Sequence, residues 1–64
     1  MTLYEKNEKL IEGIKQEFDA GKRFVEIPTR DPFHFRKSLH DCVRRRRLTW
    51  MFSTTERSVF VRQA

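Results

Sequence analysis

Leu3, Leu10, Ile11, Ile14 and Phe18 recur at helical spacing over the first twenty residues, among mostly polar neighbours. Thr2-Leu3-Tyr4-Glu5 has the form of a capping box, in which the Thr2 hydroxyl and the Glu5 carboxylate satisfy free amides, and Gly21 is placed to end the turn. The pattern predicts a helix over 3–19. Gly13 inside it costs ~1 kcal/mol relative to Ala, or marks close packing.

The period then changes from near four to two. Arg23-Phe24-Val25-Glu26-Ile27 is short, aromatic and β-branched, and Pro28 stops it, so 23–27 reads as a strand. Asp31 is placed to cap a second helix, with Pro32 at its first position. Phe35, Leu39, Cys42, Val43 and Arg46 fall at i, i+4, i+7, i+8 and i+11, and the first four form an apolar stripe over 32–46. Leu48 to Ser53 and Ser58 to Arg62 read as two strands around the polar turn Thr54-Thr55-Glu56-Arg57, a hairpin over 48–62. The expected fold is a single small α+β domain over 1–64, ordered α-β-α-β-β, with both helices on one face of a three-stranded sheet. The spatial order of the strands stays open.

Pairing Ser53 with Ser58 sets Phe52 opposite Val59 and Trp50 opposite Val61. With Leu48, Val25 and Ile27 these side chains meet the helices. Alternation sends Phe24, Met51 and Phe60 to the other face, beside Thr49, Arg62 and Glu26. Two helices cannot cover both faces, so the pattern predicts an open face carrying aromatic residues rimmed by arginine. Three readings stand for it: a stacking platform for unpaired bases, a homodimer interface, or core, if the register is otherwise.

Composition narrows the function class. A chain of 64 residues buries only about 60% of its unfolded surface. That leaves no room for a multi-substrate enzyme with its own cofactor fold. One cysteine, Cys42, precludes an intrachain disulfide and points to a reducing, cytoplasmic setting. No apolar run approaches the ~18 residues of a membrane span, and the N-terminus has no basic-then-apolar signal pattern, so no membrane association is expected.

Charge is unevenly placed. Residues 1–21 carry three lysines against five acids, net −2, whereas 22–64 carry eleven basic residues against four acids, net +7, nine of the eleven being arginine. Arginine's planar donor fork suits phosphates and bases. In Arg44-Arg45-Arg46-Arg47 one or two charges complement the helix C-terminus, and four exceed that need. Arg46 is expected along the core edge with its stem buried. Arg36, His40, Arg44 and Arg47 share one flank, and Lys37, Asp41 and Arg45 form an i, i+4 ladder with one internal salt bridge. Three readings stand for the flank: a track for a phosphate backbone, a docking site for an acidic protein, or a merely solvated face. Held inside a folded helix, the run is a poor nuclear-localisation signal.

Catalytic candidates are His34, His40, Asp41, Cys42 and Asp31. Neighbours on a helix point about 100° apart, so His40-Asp41-Cys42 does not converge. Cys42 lies on the apolar stripe, and two histidines six apart with one cysteine do not make a zinc site. No enzyme activity, cofactor or metal is expected.

In arrangement, residues 23–62 resemble small RNA- or DNA-binding domains such as the C-terminal domain of bacterial translation initiation factor three and the Alba family, with no motif that carries residues over. A KH domain needs a G-x-x-G loop that the chain lacks, and Arg57-Ser58-Val59-Phe60-Val61 only faintly resembles the aromatic string of an RRM. The expectation is a small basic nucleic-acid-binding or regulatory protein, of the kind phages and mobile elements encode. Arg36, Lys37, Arg44, Arg45, Arg47 and Arg62 would hold phosphates on RNA or DNA, with Phe24, Met51 and Phe60 as stacking platform or homodimer seam. The alternative is a protein-interaction module or inhibitor that docks on an acidic partner.

Overall fold

Both helices start on a side-chain cap. In the structure, a computed structural model that describes residues 2–63, the Thr2 hydroxyl accepts the Glu5 amide at 3.2 Å and opens α1, Leu3–Asp19. The expected box is half realised, since the Glu5 carboxylate takes the Thr2 hydroxyl proton and not an amide. The side chain of Leu3, first residue of the stripe, lies outside the described ones. Asp31 accepts the His34 amide at 3.3 Å and opens α2, Pro32–Arg45, with Pro32 in the first turn where no partner for its missing N–H is needed. Three strands complete the order: β1, Phe24–Pro28; β2, Trp50–Thr54; β3, Ser58–Gln63.

The sheet is antiparallel throughout, in the order β1-β3-β2. Several bounds differ from the sequence reading: α2 ends at Arg45, and β1 starts at Phe24 and takes in Pro28, expected to stop it, because the missing N–H faces away from β3. Leu48 and Thr49 precede β2, because the C-terminal turn of α2 continues through Leu48. The hairpin register is slipped by two residues: Ser53 faces Phe60, Phe52 faces Val61 and Trp50 faces Gln63. The turn therefore centres on Glu56-Arg57, closed by the Thr55 amide on the Ser58 carbonyl at 2.9 Å, and neither residue takes the positive φ of a primed turn. A two-residue slip moves no side chain to the other face.

α1 and α2 cover one face. Ile11, Ile14, Leu39, Val43, Val59 and Val61 are fully buried between layers, with Phe18, Cys42 and Trp50 completing the cluster and Val25, Ile27, Phe35, Leu48 and Phe52 packed at its border. Phe18 meets Trp50 edge-on at 5.4 Å between centroids. Between the helices, the buried Asn7 amide donates to the Ser38 hydroxyl at 2.9 Å. Gly13 faces open space, so close packing is not its reason.

The two helices end alike on different residues. After α1 the Lys22 amide bonds the Glu17 carbonyl and the Gly21 amide the Phe18 carbonyl; after α2 the Leu48 amide bonds Val43 and the Arg47 amide bonds Arg44. Each is a Schellman closure, which needs one left-handed residue. Gly21 (φ 99°) supplies it without strain, and Arg47 (φ 59°) supplies it with a Cβ. Arg47→Gly is expected to stabilise the fold by about 0.5–1 kcal/mol, and Gly13→Ala by up to about 1 kcal/mol. Urea denaturation of each variant measures both; no gain for Arg47→Gly would mean its side chain stabilises the turn by as much as the strain costs.

A candidate nucleic-acid interface

Strand alternation builds the open face. On β3 the side chains of Ser58, Phe60 and Arg62 point away from the helices, and cross-strand neighbours join them in two rows: Phe24-Arg62-Met51 and Glu26-Phe60-Ser53. Phe24 and Met51 are 57% and 46% exposed, large values for apolar side chains on a sheet. The Phe24 and Phe60 rings tilt toward each other at 5.8 Å between centroids. A shallow depression of about 350 Å³ lies here, lined by Phe24, Met51, Phe52, Ser53, Phe60 and Arg62. Arg62 thus sits between two exposed apolar side chains. Glu26, at the middle of β1 and opposite Phe60, accepts the Ser58 hydroxyl at 2.7 Å. The reading of Phe24, Met51 and Phe60 as core is set aside by this exposure; Thr49, expected beside them, lies outside the strand.

The arginine run divides into separate roles. Arg46 turns back to α1, where Nη2 meets Glu8 at 2.7 Å and Nη1 meets Glu12 at 2.6 Å. Glu8 and Glu12 are one helical turn apart, so one planar guanidinium spans both and ties the helices together. Arg44 and Arg45 are exposed on the last turn of α2, where with Asp41 they line a shallow surface depression. Arg47 has left the helix, so the expected flank keeps helical geometry only as far as Arg44. On that flank His40 packs edge-on against Phe52 of β2 at 5.3 Å. Arg36 and Arg44 lie one turn before and after His40, which places them beside the β2 edge of the sheet. Among the described residues no ion pair joins Asp41 to Lys37 or Arg45, so the expected ladder bridge does not form.

Sequence reasoning missed Phe33. It is 72% exposed, and the Arg36 guanidinium lies 5.7 Å from its ring centroid. Its signal was its distance from the stripe: two residues before Phe35, it points about 200° away around the helix.

The candidate catalytic groups are placed apart. Cys42 is buried, His40 is against Phe52, and His34 pairs with Asp31 at the helix start. Among the described residues no three His, Cys, Asp or Glu side chains are grouped to hold a metal ion, and no helix is long and apolar enough to cross a membrane.

No protein-family model, curated protein or solved structure matches this chain.

Two carboxylates are held below the ordinary carboxylate range by their partners. Hydrogen bonding from Arg46, with Lys15 nearby, holds Glu12 below its ordinary value, and hydrogen bonding from the His34 ring and amide holds Asp31 below its own. Because both folded values lie below the unfolded ones, the stabilisation is complete above the ordinary carboxylate range and is lost as pH falls from there through the lowered folded values. The melting temperature is expected to drop from about pH 5 downward, and Glu12→Gln to lower the plateau and flatten the drop. A melting profile unchanged in Glu12→Gln would remove the interhelical clamp from the acid response.

Proposed function

We propose that this chain is a small basic regulatory protein that binds nucleic acid, with phosphates held along α2 and its C-terminal turn and unpaired bases stacked on the open sheet face. The observation that carries this reading is the division of charge. Glu8 and Glu12 neutralise Arg46, while among the described residues no ion pair joins Arg36, Lys37, Arg44, Arg45 or Arg47 to any carboxylate. Cations without internal counterions are open to an outside anion, and planar arginine forks match phosphate oxygens. Arg47 supports the same reading, since its side chain occupies a backbone position that favours glycine.

The open face supplies the second component. Exposed Phe24 and half-buried Phe60 offer ring faces on which any base can stack, Met51 extends the apolar surface, and Arg62 between them reaches a phosphate. Duplexes keep their bases stacked inside, so this face favours single-stranded nucleic acid. The same apolar surface would also seat a second copy as a homodimer. A buried, reduced Cys42 suits a cytoplasmic setting. A second reading, docking of an acidic protein on the α2 flank, is favoured by the strand beside that flank, since β2 is a sheet edge.

Fluorescence anisotropy with labelled single-stranded RNA and duplex DNA over a salt series tests the proposal. Affinity is expected to fall steeply with salt, and the triple variant Arg44→Ala, Arg45→Ala, Arg47→Ala to reduce the logarithmic slope by about 2 while circular dichroism is unchanged. Phe60→Ala should weaken single-strand binding by about 1–3 kcal/mol and leave the slope alone. An unchanged slope in the triple variant excludes the arginine run. If Phe60→Ala alters sedimentation but not RNA affinity, the face belongs to a second copy.

A further inference from the structure

The two edges of the sheet differ in a way the nucleic-acid reading does not use. The Thr55 amide bonds the Ser58 carbonyl, so by antiparallel alternation the backbones of Met51 and Ser53 face β3, and those of Trp50, Phe52 and Thr54 face away from it. The Thr29 amide on the Arg57 carbonyl sets the phase on the other side: Phe24, Glu26 and Pro28 turn their backbones outward from β1. The two phases agree, with Ser58, Phe60 and Arg62 bonding β2 and Val59 and Val61 bonding β1. The β1 edge is guarded, because Pro28 has no N–H to offer and Glu26 puts a charge on it. The β2 edge has no such guard. From Leu48 to Thr55 there is no charge, no proline and no glycine, and among the described residues no hydrogen bond reaches the outward groups of Trp50, Phe52 or Thr54.

We propose that this edge takes an extended acidic segment of a partner protein as a fourth strand, its backbone paired with Trp50, Phe52 and Thr54 and its carboxylates set on Arg36 and Arg44. The charge beside the edge chooses the occupant. The His40 ring against Phe52 fixes which flank of α2 overlooks β2, and Arg36 and Arg44 lie one turn to either side of it. A second copy paired edge to edge would bring two such flanks together with no acid at positions 33, 36, 40 or 44, and like charges would oppose it. An acidic strand meets opposite charge instead. Its side chains alternate, so every second residue faces the arginines, and those between continue the apolar surface at Met51, 46% exposed. The assignment does not rest on nucleic-acid binding, although the two ligands would compete for Arg36 and Arg44.

The probe is a blocked peptide, Val-Glu-Val-Glu-Val-Glu-Val, with two twins that carry N-methyl groups on the valine or on the glutamate amides. Amide exchange followed by NMR is the readout. In the isolated protein the Trp50, Phe52 and Thr54 amides are expected to exchange faster than those of Met51 and Ser53, and the peptide to slow all three. A strand pairs through one edge, so one twin should bind roughly tenfold more weakly than the other, about the loss of one or two hydrogen bonds. Thr54→Pro, which removes an outward donor and no β3 bond, should weaken the peptide and leave the RNA salt slope unchanged. Peptide binding that leaves the three amides unprotected, or that both twins retain equally, overturns the proposal and reduces the flank to a general anion site. Protection of the three amides without peptide, together with a dimer mass, assigns the edge to a second copy. None of these results alters the salt-slope experiment on RNA, so the two readings fail separately.

Discussion

Two helices can cover only one side of a three-stranded sheet. Six fully buried aliphatic side chains, two from each helix and two from β3, form a single layer, and no element remains to cover the other face. Among the described residues this layer, with Phe18, Cys42 and Trp50 beside it, is the apolar burial that offsets the ordering of the backbone. β3 is central for the same reason. Val59 and Val61 are fully buried in the layer between sheet and helices, and the strand bonds both neighbours, which leaves β1 and β2 as edges and Ser58, Phe60 and Arg62 along the middle of the open face.

The helices must also be held at one mutual position. Asn7 does this inside the interface, bonded to Ser38, and Arg46 does it at the rim, spanning Glu8 and Glu12. The acid-rich first helix thus has a definite electrostatic task and does not neutralise the remainder of the arginine run. Arg44 and Arg45 are left on the final turn, and Arg47 sits beyond it in a left-handed conformation. Four consecutive arginines are therefore not one patch. One is an interhelical clamp, and the others form the cationic surface.

Local periodicity made most of the fold legible before any coordinates. The stripe Phe35, Leu39, Cys42, Val43 marked the buried face of α2, and alternation placed Phe24, Met51, Phe60 and Arg62 together on the open face. Capping chemistry located Thr2 and Asp31, although the Glu5 carboxylate bonds a hydroxyl where an amide was expected. The hairpin was mispositioned by two residues. An even slip preserves both faces, so the pattern of apolar and polar positions could not distinguish the registers, and without a glycine no turn type decided between them. Leu48 looked like strand because it is apolar. It belongs to the closure of α2, which Arg47 completes in a conformation that sequence alone assigns to glycine.

What the amino-acid order determined by itself is which segments are helix or strand and which side of each faces inward, since both follow from contacts between residues a few positions apart. The tertiary structure alone decided the strand order, the partner of Arg46 and the exposure of the β2 edge. Those depend on which distant segments meet. Helical spacing sets Arg46 apart from its three neighbours at the core edge, but Glu8 and Glu12 lie 34 or more residues away, so only the packing of α1 on α2 makes them its partners. Likewise Pro28 marks β1 as an edge from its own chemistry, but β2 becomes the other edge only because β3 returns between them.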